Sequence, residues 1–203
     1  MLSLWWLRDK PINIYGPPGT KKLTSNILEA YADDSDIRMQ TTLSPVKIQE
    51  PDPVVSEYAS GGVVYDDGEV KVEAFLVDHG AIEPAFGYKV TTPDKVTVIS
   101  GDTTYDERIA VQAKGADYLI HEVYSNKGLI DSSDPNRPQR HAYHANQHTS
   151  IEQVAEIAKL AKPGLLVLTH ILSWTDTVEN MKETMAKAYD GKFVFAEDAT
   201  MLE

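Results

Sequence analysis

Strand-like runs in this chain end repeatedly on side chains that can bind a metal or move a proton. Val70 to Val77 leads into Asp78-His79, Lys95 to Ser100 into Gly101-Asp102, Asp117 to Ile120 into His121-Glu122, and Leu165 to Thr169 into His170. Imidazole and carboxylate together suit borderline divalent ions such as zinc or manganese, because neutral nitrogen and hard oxygen donors fill a coordination shell without thiolate. The chain has no cysteine, which excludes thiolate sites and disulfides. A lone histidine at 79 or 170 is more often a satisfied structural residue, and Asp102 after a glycine could simply cap a turn. Placement at matching strand ends changes the balance, since ligands in layered α/β folds collect beyond the strand ends at one edge of the sheet.

His148 has a different prospect. It lies just ahead of Thr149-Ser150, a helix start, in a stretch read as a loop that also carries His141 and His144. A histidine there can shuttle a proton: the helix N-terminus lowers its pKa and a neighbouring carboxylate raises it. His141 and His144 are expected to be exposed loop residues, and His121 to be structural or to stand behind the site.

The elements that must position these groups alternate between strand and helix patterns, which indicates an α/β domain; one domain is the economical reading. Pro11 to Tyr15 reads as a strand, Lys21 to Tyr31 as a helix, and Ser44 to Gly62 as a loop rich in proline and glycine. Val63 to Tyr65 and Val70 to Val77 flank Asp66-Asp67-Gly68, a hairpin signal. Ser150 to Lys162 places Ile151, Val154, Ala155, Ala158 and Ala161 on one helical face, with Ser150 and Gln153 spaced for a capping box. Gly16-Pro-Pro-Gly-Thr-Lys-Lys22 looks superficially like a phosphate loop, yet it lacks the second glycine before the lysine and the hydroxyl residue after it, so a rigid strand-to-helix turn is expected.

Composition narrows the function classes. The 203 residues carry 19 Lys plus Arg against 31 Asp plus Glu, a formal charge of -12, which opposes binding to a polyanion; Arg137 and Arg140 are the nearest approach to a basic cluster. Nucleic acid is therefore not the expected partner. Met1 to Leu7 is apolar but too short for a membrane span and lacks the basic lead of a signal peptide, so a strand or helix end is expected there. Nothing else approaches a spanning length, and the cytoplasm is the expected compartment.

Read in order, Val77-Asp-His79-Gly with Phe86-Gly-Tyr88, Ser100-Gly-Asp102-Thr103, Ile120-His-Glu122-Val, His148-Thr-Ser and Leu168-Thr-His170 resemble the motifs of metallo-β-lactamase-fold proteins of the ribonuclease Z and arylsulfatase-like branch. Ile14-Tyr-Gly-Pro-Pro-Gly-Thr20 is similar to the segment that follows that family's first metal motif. The resemblance implies an αββα sandwich with a two-metal hydrolytic centre, zinc or alternatively manganese. In it His79 binds one ion, Asp102 bridges both and His170 binds the other. His148 would donate a proton to the leaving group, oriented by Glu122. A homodimer is also implied.

Two departures stand out. The family's His-x-His-x-Asp-His motif is absent, because all six histidines lie at 79, 121, 141, 144, 148 and 170. The expectation is an N-terminally truncated sandwich over residues 1–203 that retains part of its ligand set. The interval between His79 and Asp102 is also short, whereas tRNA-processing members resembling this chain carry a long docking arm there. Together with the acidic charge this favours a small ester substrate, such as an aryl sulfate, phosphodiester or lactone, over tRNA 3′ processing. The non-enzymatic alternative is an inactive remnant or assembly piece of the same fold.

Overall fold

The computed structural model describes residues 10–41, 52–130, 135–199 and 201–202; the expectation for Met1 to Leu7 lies outside them. The chain divides into two compact units, Met1–Ala59 and Ser60–Glu203.

In the first unit, β1 (Asn13–Gly16) leads through the Pro-Pro-Gly turn into α1 (Thr20–Ala30), followed by α2 (Ala32–Thr41). The segment expected to be loop contains a strand, β2 (Val54–Glu57), which pairs in parallel with β1. Two nearby prolines masked it in the sequence; β2 starts just after Pro53 and draws its hydrogen bonds from β1. The Gly-Pro-Pro-Gly turn is no phosphate cradle. Glu57 Oε1 accepts from the N–H groups of Gly19 and Lys21, both at 2.8 Å, so the chain's own carboxylate fills the N-terminus of α1.

The second unit is built on a seven-stranded mixed sheet in the order β3-β4-β5-β6-β7-β8-β9. Strands β3 (Gly62–Asp66), β4 (Lys71–Val77), β5 (Ala85–Thr91) and β6 (Val96–Ile99) run as an antiparallel meander. The β3–β4 turn forms as its Asp-Asp-Gly sequence requires: Asp66 accepts from Gly68 N–H, and Asp67 accepts from Glu69 and Val70 N–H. After β6 the connections become crossovers. Helix α3 (Glu107–Gln112) precedes β7 (Tyr118–Tyr124); α4 (Asn126–Ile130), α5 (Arg137–Ala145) and α6 (Ile151–Ala161) precede β8 (Leu165–Leu172); α7 (Val178–Ala188) precedes β9 (Phe193–Phe195). Strands β6 to β9 pair in parallel.

The core lies where alternate residues of these strands meet α3, α6 and α7. Val98, Leu119, Val123, Leu166 and Leu168 pack with Ile109, Val154, Ile157 and Ala158, and with Met181 and Met185, all fully buried. Each such aliphatic side chain contributes roughly 1.5–3 kcal/mol on burial. Helix α6 has the predicted face, and its capping box is complete: Ser150 Oγ accepts from Gln153 N–H, and Gln153 returns an acceptor to Ser150 N–H. The sequence reading of a loop around His141 and His144 is corrected, since both lie on α5.

Candidate functional site

β4 ends at Val77, and the next residues are pinned from two sides. The Asp78 carbonyl accepts from Thr104 N–H at 2.7 Å, and His79 Nδ1 lies 2.8 Å from the Gln147 carbonyl oxygen. A carbonyl only accepts, so Nδ1 is the donor, and in the neutral tautomer this selects the lone pair lies on Nε2. This is the tautomer a metal-binding histidine needs, held by a partner of the usual kind.

Asp102 follows β6 through Ser100-Gly101. Gly101 has φ +65, and a Cβ on it would sit 2.6 Å from the Phe86 carbonyl oxygen, so only glycine allows the chain to turn Asp102 outward. Ser100 Oγ donates to the Gly101 carbonyl and accepts from Glu122 N–H, tying this turn to β7.

β7 and β8 extend past the points where the sequence pattern ends them, to Tyr124 and Leu172. Glu122 is therefore a mid-strand residue. Its partner in β8 is Thr169, while Val123 pairs with Ile171, so His170 is the extra residue of a β-bulge at φ +42. A bulge re-aims one side chain out of the alternation, and here it presents His170 beside Asp102, with Nε2 3.7 Å from Asp102 Oδ2.

His148 is buried at the junction of α5 and α6, its N–H bonded to the His144 carbonyl at 2.8 Å. Glu122 serves two neighbours. Its Oε1 accepts from Thr149 N–H at 2.7 Å, and its Oε2 lies 3.5 Å from His148 Nδ1. That separation is long for a strong hydrogen bond, yet both atoms are buried with no other hydrogen-bond partner among the described residues. The Glu122 carboxylate holds the His148 imidazolium above its ordinary pKa, against the opposing effect of burial.

These groups converge. Ligand-capable atoms of Asp102, His148 and His170 lie within 4.8 Å of one another. The His79 and His170 rings each stand 5.5 Å from that of His148, on centroids. Asp102 and His170 stay nearly half exposed, which leaves the cluster open to a ligand. His121 stands apart: it is fully buried, its Nδ1 is 2.6 Å from the Glu122 carbonyl, and burial pushes its pKa down.

Sequence reasoning missed His144. Its ring packs on Trp174 at 4.8 Å and lies 6.0 Å from His148, and its Nδ1 is buried with no hydrogen-bond partner among the described residues. Burial lowers its pKa, assisted by His148 and Arg140. The four-residue spacing from His144 to His148 is helical, and it was the signal available in the sequence.

The comparisons agree with this architecture. A family model described as a beta-lactamase superfamily domain matches residues 1–171. Ribonuclease Z of Mycolicibacterium gilvum (strain PYR-GCK) is 32% identical over 160 residues, 79% of this chain. The chain spans 54% of that relative's length. The human short-form tRNase Z superposes with a TM-score of 0.63 at 20% identity, covering 97% of this chain and 68% of that one. Zn(2+)-bound PqqB from Methylobacterium extorquens gives 0.56 at 17%, covering 98% and 65%. The relatives' names run against the expectation that nucleic acid is not a partner, a point that charge alone did not capture. The chain belongs to the β-lactamase superfamily, with the metallo-β-lactamase fold and ribonuclease Z among its relatives.

Proposed function

We propose that this chain carries part of a divalent-metal hydrolytic centre for ester bonds, with zinc as the ion and manganese as the alternative. The cluster of Asp102, His148 and His170, with the ring of His79 5.5 Å from that of His148 and its Nδ1 turned to the Gln147 carbonyl, carries the reading. His79, Asp102 and His170 are the assigned ligands. A bound ion of this type lowers the pKa of water and stabilises charge on the attacked oxygen. In this reading His148 is the proton donor to the leaving oxygen, through the ring nitrogen that does not face Glu122, and the Glu122 carboxylate orients the ring and favours its protonated form. A specific observation supports a second reading: His148 falls within the same 4.8 Å cluster and could be a third ligand, with Glu122 as the carboxylate behind it.

A phosphodiester is the substrate class on which the two lines of argument meet. The ribonuclease Z relatives favour RNA, while the charge of -12 and the short 80–101 interval favour a small diester. The test uses the chain joined to an upstream segment supplying His-x-His-x-Asp-His, assayed with zinc on bis(4-nitrophenyl) phosphate and on a 3′-extended tRNA precursor. Zinc-dependent cleavage of at least one substrate is expected. Failure on both, or equal cleavage after chelation, would contradict the proposal.

A further inference from the structure

The β8–α7 segment holds two bulky residues at positive φ, His170 at 42° and Trp174 at 47°. Histidine visits the left-handed region more readily than most residues, but a tryptophan there is an outlier, and such residues cluster where surrounding structure holds them for a purpose. His170 belongs to the cluster described above. Trp174 has no part in that reading, although a dedicated clamp fixes it. Asp176 N–H bonds to the Ser173 carbonyl, Asp176 Oδ2 accepts from Ser125 Oγ at 2.6 Å, and Thr175 Oγ1 donates to the Gly128 carbonyl at 2.8 Å.

The clamp presents one indole beside the cluster. Trp174 packs edge-on against Tyr124 at 5.8 Å and tilted against His144 at 4.8 Å; His144 lies 6.0 Å from His148, which lies 5.5 Å from His170. The rings form a continuous wall leading away from the reacting groups. Trp174 keeps part of its surface open to solvent, while His144 Nδ1 is buried with no hydrogen-bond partner among the described residues. A partly open indole beside an imidazole offers stacking area, which selects a flat ring over an aliphatic group.

We infer that Trp174 and His144 form a subsite for a planar aromatic ring carried on the ester, and that they determine specificity for it. The position of this ring next to the cleaved bond rests on the hydrolase proposal; ring binding itself does not. A nucleobase and a phenolic leaving group share the chemistry the wall recognises.

Calorimetry on the full chain, with and without zinc, compares phenyl phosphate, adenosine 5′-monophosphate and methyl phosphate. At least one aromatic ester should bind about 10-fold tighter than methyl phosphate, the scale of one aromatic stack. A larger gain for the nucleotide identifies the ring as a base, and a larger gain for phenyl phosphate identifies it as an aryl group. Trp174→Phe should keep the preference. Trp174→Gly suits the left-handed backbone and should lose the preference while circular dichroism still shows a folded protein; His144→Ala should weaken it. Equal affinity for the three esters, no binding of any, or a preference that survives in folded Trp174→Gly overturns the inference. Ring preference in a chain that binds no zinc would leave the wall standing and refute the metal proposal; zinc binding without ring preference would do the reverse.

Discussion

Glu122 faces the backbone of Thr149 with one oxygen and the ring of His148 with the other, so one carboxylate anchors the α6 entry and raises the pKa of the histidine. Glu122→Gln keeps an acceptor for Thr149 and removes the charge. The His148 pKa should then fall from its raised value, as followed by the imidazole proton shifts in an NMR titration of the metal-free protein. An unchanged titration would show that Glu122 does not set it. At this scale the sequence was informative wherever a residue type combined with a strand end, as at His79, Asp102 and His170. For His144 it offered only the four-residue spacing to His148, and for Trp174 nothing, because the contact of Trp174 with His144 joins α5 to the β8–α7 segment, which no local spacing encodes. The Gln147 carbonyl that fixes His79 is a backbone group, and sequence carries no mark of it.

Elements position the site through a few tight joints. Where α4 passes the β8–α7 segment, a Cβ on Gly128 would stand 2.0 Å from the Ser173 carbonyl oxygen. Gly128→Ala should destabilise the protein by about 1–3 kcal/mol, measured by urea unfolding, because backbone must move to admit the methyl group. A change within about 0.5 kcal/mol, the range of ordinary surface substitutions, would show that the joint is slack. Asp176 sits at the same joint. Burial raises its pKa, but hydrogen bonds from Ser125, Asn180 and Thr177, with Lys127 nearby, outweigh this and leave it below the ordinary 3.8. A depressed folded value means that the stabilisation is complete above the unfolded pKa and is lost as pH falls through the folded one. The stability difference between wild type and Asp176→Asn should be constant near neutral pH and shrink below pH 3.8; a difference that persists unchanged at lower pH would contradict the assignment. The α6 face and the β3–β4 turn were legible because their signals are local: a helical period, a capping pair and an Asp-Gly turn. β2 was not legible, because its strand character depends on pairing with β1, some forty residues earlier. The overrun of β7 and β8 was hidden for the same reason, since the bulge at His170 exists only in their mutual register.

At the scale of the whole molecule, the family match over residues 1–171 and the mixed sheet place the chain in the metallo-β-lactamase fold, as the ordered motifs implied. No described helix is long and apolar enough to cross a membrane. Net charge alone does not decide the substrate: -12 describes the total, whereas a binding site depends on where the charges stand, and relatives named ribonuclease Z lie at 32% identity. The central claim is that His79, Asp102 and His170 are ligands and that His148 is a proton donor beside them. Zinc titration calorimetry on wild type, His170→Ala and His148→Ala tests it most directly. With three ligands the chain should bind zinc more weakly than micromolar; His170→Ala should lose at least about 10-fold in affinity, a loss typical of groups that support a metal, and His148→Ala should match wild type. Loss of zinc by His148→Ala equal to that of His170→Ala, or submicromolar binding of two ions by the wild-type chain, would contradict it.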